Sequence, residues 1–137
     1  MKALIKQYII LRKDAPTVSG EPVSAAKLAV MTAHASIAFL TDIIENNKSI
    51  DEDTKKWFDT GYTKVLLGAK TKDFLKIKEK ALAMNFKEND DFFEIYDLCN
   101  TELLHDENSN TCYIVIGFKP MEEEKIKPLV KRFQIYK

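Results

Sequence analysis

The chain has 137 residues, is 45% hydrophobic, and balances 21 Lys/Arg against 21 Asp/Glu for a formal net charge of zero. One domain spanning residues 1–137 with a real core is expected at this length, and the neutral total argues against a general nucleic-acid coat protein. No unbroken apolar run reaches the roughly 18 residues that would read as a bilayer span. In Met1-Lys2-Ala3-Leu4-Ile5-Lys6-Gln7 a second lysine falls where a signal peptide keeps its apolar region, so a cytoplasmic location and no membrane partner are expected.

Leu4 to Leu11 is β-branched and aromatic, runs into Arg12-Lys13-Asp14, and reads as a largely buried strand. Pro16, Gly20 and Pro22 make Ala15 to Val23 a loop. Ser24 is placed to cap a helix running to about Asn46, apolar on nearly every face as far as Leu40 and so expected to be covered on more than one side. Asp51 to Asp59 reads as a short polar helix anchored by Trp57 and Phe58, after which Gly61 turns the chain into a second strand, Thr63 to Gly68. Thr71 is expected to cap one helix in which Phe74, Leu75, Ile77, Lys78, Ala81 and Leu82 recur at helical spacing. A third strand runs from Phe92 to Tyr96 and ends at Asp97, and a polar loop covers Asn100 to Asn110. Cys112 to Phe118, apolar throughout, is the best central strand. Met121 to Lys131 reads as a final helix bent near Pro128, with Phe133 to Tyr136 as a short edge strand. The order implies an α/β fold: a three-layer sandwich with a central mixed sheet of about four strands and helices on both faces. Parallel neighbours are expected across the first two helix-containing connections.

No nucleophile elbow, phosphate-binding loop or dinucleotide fingerprint is present. Cys99 and Cys112 fit no metal spacing, and His34 and His105 are the only histidines, so no metal site is expected. The candidates for chemistry are few. Lys27, Met31 and His34 are spaced i, i+4, i+7 and share one face of the long helix. A lysine there is either a snorkelling surface side chain or the partner of an anion, and His34 alone also fits a satisfied core histidine. Asp97 with Thr101 sits at the carboxyl end of the third strand, where open α/β sheets hold ligands, although a turn or cap would use the same residues. Arg12-Lys13-Asp14 occupies the equivalent end of the first strand. The excess of Lys/Arg over Asp/Glu falls in residues 1–80, which allows a local basic face.

In this order the residues resemble the peptidyl-tRNA hydrolases of the archaeal and eukaryotic type. That family shows a strand ending in Arg-x-Asp, matched by Arg12-Lys13-Asp14, and a helix beginning Gly-Lys-x-Ala-Ala-Gln-x-x-His-Ala, matched at Lys27, Ala29, His34 and Ala35. Its Gly-Gln-Thr-Lys-Val-Val-Leu strand is similar to Gly61 to Leu67, its Asp-Ala-Gly-x-Thr-Gln segment to Asp97 to Glu102, and its Ile-Gly-Pro ending to Ile116 to Pro120. The resemblance implies hydrolysis of the ester between a peptide and the 3′-terminal ribose of tRNA. It implies Asp97 polarising or orienting the water, with Thr101 as its hydrogen-bonding partner. Lys27 would stabilise the oxyanion or bind the terminal phosphate, and His34 would orient the site from behind. It further implies Lys13, Lys64 and Arg12 on the RNA backbone, a tRNA acceptor end as partner, no cofactor, no metal and a homodimer. Met31 stands where the family has glutamine, Ala26 and Cys99 where it has glycines, Asn100 where it has a basic residue, and Glu102 where it has a second glutamine. These departures keep open an inactive relative of the fold that binds a small molecule, nucleotide or protein.

Overall fold

The structure is a computed structural model and describes residues 4–137, so Met1 to Ala3 lie outside the described residues. The elements run β1 (Ile5–Arg12), α1 (Ala25–Glu45), α2 (Glu52–Asp59), β2 (Lys64–Ala69), α3 (Thr71–Phe74), α4 (Ile77–Ala83), β3 (Phe92–Asp97), β4 (Cys112–Phe118), β5 (Met121–Glu122), α5 (Glu123–Val130) and β6 (Gln134–Ile135). They build an α/β fold around an open, mixed, six-stranded sheet ordered β3-β4-β1-β2-β6, with β5 paired to the start of β1. The sheet exceeds the expected four strands by two pairs of residues: β6 falls inside the expected edge strand, and β5 takes Met121 and Glu122 from the expected last helix. Glu122 is extended, which delays α5 until Glu123, and Pro128 lies inside that helix.

Among the described residues β1 and β2 are the one parallel strand pair, in register from Gln7 opposite Lys64 to Arg12 opposite Ala69. The expected second parallel neighbour is corrected: β3 lies at the far edge and pairs antiparallel with β4, not with β2. β4 in turn pairs antiparallel with β1. Alternation along β1 divides the core. Ile9 and Leu11 join Leu28, Met31 and Ala35 of α1, while Tyr8 and Ile10 join Phe74, Ile77 and Ile126. The single helix expected after Thr71 is two pieces, α3 and α4, divided at Leu75 and Lys76, where the Lys76 N–H bonds the Asp73 carbonyl three residues back; Phe74, Ile77 and Ala81 turn inward, while Leu75 and Leu82 are exposed.

α1 has the expected bounds, with Ser24 as N-cap and Asn46 as C-cap. Two contacts set its position over the sheet. Gln7, fully buried on β1, donates to the Ser36 carbonyl at 2.8 Å and accepts from the Ser36 hydroxyl at 2.7 Å. At Gly117 of β4 the helix comes so close that a Cβ would lie 2.5 Å from the Ala35 carbonyl oxygen. The expectation that α1 is covered on more than one side is corrected: Val30, Ile37 and Ile44 are exposed. With 21 residues and a window of mean hydropathy 1.4, α1 is long and apolar enough to cross a membrane by length and composition. Here it packs Leu28, Met31 and Phe39 into the fold instead.

Candidate active site at the head of the first helix

The carboxyl ends of β1 and β3, the amino end of β4 and the start of α1 meet at one end of the sheet. α1 arrives there with no acid of its own in the first turn, although the exposed N–H groups of a helix start favour negative charge. The end of β3 and the loop that follows it bring two carboxylates there. Asp97, 6% exposed, forms an ion pair through Oδ1 with Lys27 Nζ. Glu102 reaches Ser24, accepting from its backbone N–H at 2.7 Å and from its hydroxyl at 2.9 Å. Ser24 Oγ accepts the Lys27 N–H at 3.2 Å and so caps the helix. The acidic residue in place of the family's second glutamine is therefore bonded to the helix start.

Asp97 is itself fixed from behind, since its Oδ2 accepts the Cys99 N–H at 2.9 Å. That turn puts Cys99 at φ 62, in the left-handed region where glycine is favoured. Burial pushes the Cys99 thiol up, and the Asp97 charge adds to it. Burial likewise pushes the Cys112 thiol up to about 11, with Asp106 contributing. Neither is a ready thiolate near neutral pH. The two loops that frame the site are zipped together: Val18 N–H donates to the Glu102 carbonyl at 2.8 Å and Leu104 N–H to the Pro16 carbonyl at 3.0 Å.

Thr101 is exposed on the loop four residues beyond Asp97, and among the described residues no hydrogen bond joins its hydroxyl to that carboxylate. His34 shares the Lys27 flank of α1 but sits seven residues on, roughly 10 Å at 1.5 Å rise per residue, exposed beside Ile37, Asn89 and Phe93. Met31 is buried among Leu28, Ala35 and Cys112, an apolar setting that an amide would enter without a partner. Arg12 points inward: its guanidinium meets Asp106 at 2.8 Å, Thr71 Oγ1 at 2.9 Å and the Tyr113 carbonyl at 3.1 Å. Lys13 is exposed at the site's end of the sheet, whereas Lys64 pairs with Gln7 at the opposite end. Lys64 there lies over the Trp57 ring at 5.1 Å and donates to the Tyr62 carbonyl. The structure thus brings Lys27 and Asp97 together and holds Lys64 apart. No sequence signal marked Glu102 as a partner of Ser24, which is 78 positions away.

Among the described residues no group of three His, Cys, Asp or Glu could hold a metal ion. The family model for peptidyl-tRNA hydrolase PTH2 matches residues 5–136, and the chain belongs to that family. No curated protein matches it.

Proposed function

We propose that this member of the peptidyl-tRNA hydrolase PTH2 family is an active esterase, hydrolysing the bond between a peptide and the terminal ribose of tRNA. The observation that carries the reading is the pairing of Lys27 with Asp97 at the start of α1, within a chain that matches the family over nearly its full length. An ammonium has three donors, so Lys27 can hold Asp97 and still present a proton to a developing oxyanion. The carboxylate keeps lone pairs beyond those given to Lys27 and the Cys99 N–H, and it takes a proton from the attacking water. The oxyanion then forms beside the Lys27 ammonium, where negative charge is stabilised. The exposed Thr101 hydroxyl on the same loop hydrogen-bonds the water or the ribose leaving group. Collapse of the tetrahedral intermediate breaks the carbon–oxygen bond, and the ribose hydroxyl leaves with the proton Asp97 took.

The inactive alternative draws no support from Glu102, whose charge is engaged at Ser24. The test is release of peptide from N-blocked aminoacyl-tRNA by the purified protein beside Lys27→Met and Asp97→Asn. Turnover in the parent, with each variant folded and reduced about a hundredfold, is the expected result for lost oxyanion and base groups. Absence of turnover in the folded parent would instead make the protein a binding relative of the family.

A further inference from the structure

We propose that the carboxyl end of the parallel pair β1–β2 is a track for single-stranded RNA. An apolar groove beside Tyr136 takes a base, and Lys13, Lys70 and Lys72 take the flanking phosphates. The inference rests on the hydrolase reading above and names where its substrate's single strand lies.

Backbone register places the three lysines together. The Lys13 N–H donates to the Ala69 carbonyl at 3.0 Å, so Lys13 and Lys70 are neighbours across the ladder. Lys72 follows Thr71, whose N–H and hydroxyl both bond Asp14 at 2.7 Å. The acids at this end are occupied: Asp14 by Thr71, Asp97 by Lys27, Glu102 by Ser24, and Asp106 by Arg12 and the Tyr113 N–H. Lys13, Lys70 and Lys72 are exposed and, among the described residues, make no ion pair. A chain of zero net charge therefore carries a local positive edge beside its candidate active site.

The groove lies on the flank of α1 opposite Lys27. Leu11, Val23, Leu28 and Leu66 line it, Tyr136 walls its far side, and its volume is about 480 Å³. Tyr136 is fixed by its N–H, which donates to the Leu66 carbonyl at 2.8 Å. A Cβ at Gly68 would meet the Tyr136 ring at 3.0 Å and the Lys13 stem at 3.4 Å, so ring and lysine lie side by side over bare backbone. A second cleft of about 270 Å³ on this edge is lined by Tyr136, Lys13 and Gln134. An apolar slot with an aromatic wall beside unpaired cations suits a stacked base and its phosphates. A helix is about 10–12 Å across, so a short single strand leaving the ester at Lys27 reaches the groove over the head of α1.

The test is fluorescence anisotropy of a labelled RNA trinucleotide, CCA with a 5′ phosphate, across a salt series. The Lys13→Gln, Lys70→Gln, Lys72→Gln triple variant is expected to bind at least about tenfold more weakly with a shallower salt dependence. Tyr136→Leu is expected to lose about tenfold with the salt slope kept, and Tyr136→Phe to restore binding. A control, Lys127→Gln with Lys131→Gln on α5, is expected to stay within about twofold, since phosphate contacts count only along the track. The track is overturned if the trinucleotide does not bind, if the control weakens as much as the triple variant, or if both site variants bind like the parent. Trinucleotide binding with this pattern but no turnover keeps the track and removes the hydrolase reading. Turnover without the pattern removes the track alone.

Discussion

Cys99 shows how much of the site depends on one backbone conformation. Its φ of 62 lets its N–H reach Asp97 Oδ2, and a side chain in that region carries a strain of about 1 kcal/mol or more. Cys99→Gly relieves the strain but enlarges the unfolded ensemble and gives up the packing of the thiol. The two effects oppose each other, so stability should stay within about 1 kcal/mol of the parent. Turnover should also survive, because burial and the neighbouring carboxylate keep this thiol protonated and Asp97 keeps its partner. A β-branched side chain fits the left-handed region worst, so Cys99→Val should cost about 2 kcal/mol and reduce turnover by moving Asp97. Denaturant midpoints and peptide release, measured on both variants, check this. Loss of turnover in Cys99→Gly would point to the sulfur itself as a reacting group.

At the scale of elements, α1 is the part whose placement decides the site, and Gly117 decides the placement. With a Cβ 2.5 Å from the Ala35 carbonyl oxygen, backbone must move rather than a side chain end. Gly117→Ala should therefore destabilise by about 3 kcal/mol, the upper part of the range for overpacking. In whatever remains folded, Lys27 should be displaced from Asp97, so turnover should fall more than the folded fraction does; urea unfolding and activity on the same sample separate the two. An unchanged midpoint would mean that α1 rides higher over β4 than 2.5 Å implies. The bounds of α1, α2 and β4 were legible in the sequence because caps and apolar spacing are local signals. The break between α3 and α4 was not, since Phe74, Ile77 and Ala81 keep helical spacing across it. Met121 and Glu122 look helical locally and become β5 only because the start of β1 offers them a partner. The contact of Glu102 with Ser24 joins two loops that no spacing connects.

At the scale of the molecule, sequence order pointed to one end of the sheet for the candidate site but could not say which lysines share it. The parallel register separates Lys64 from Lys13, at opposite ends of the β1–β2 pair, and Lys70 and Lys72 carry no mark of their own in the sequence. Ionisation couples such distant parts through stability. At Asp51 burial would raise the carboxyl, but hydrogen bonds from Thr54 and the Lys119 charge outweigh it and hold it below 3.8. At Asp14 burial is likewise outweighed, by the Thr71 hydroxyl and N–H. Both carboxyls shed protons in the folded state that the unfolded chain still holds, so their stabilisation is complete above 3.8 and is lost as pH falls through the folded values. Lys119 runs the other way: burial would lower it, but Asp91 and Asp51 raise it above 10.5. Burial, helped by Glu123, raises Tyr8 above 10.0. These two groups stabilise fully below their unfolded values and lose that contribution as pH rises through the folded ones. The thermal midpoint should therefore be flat across neutral pH, fall below roughly pH 4 and fall again above roughly pH 10. Lys119→Met tests the coupling, because Lys119 Nζ lies 3.3 Å from Asp51 and 2.9 Å from Asp91. Without that cation the folded Asp51 carboxyl moves back toward 3.8, so the midpoint at neutral pH should drop while the fall below roughly pH 4 becomes shallower. An acid limb as deep as the parent's, with only the neutral midpoint lowered, would show that Thr54 alone holds the Asp51 carboxyl down and that Lys119 acts through Asp91.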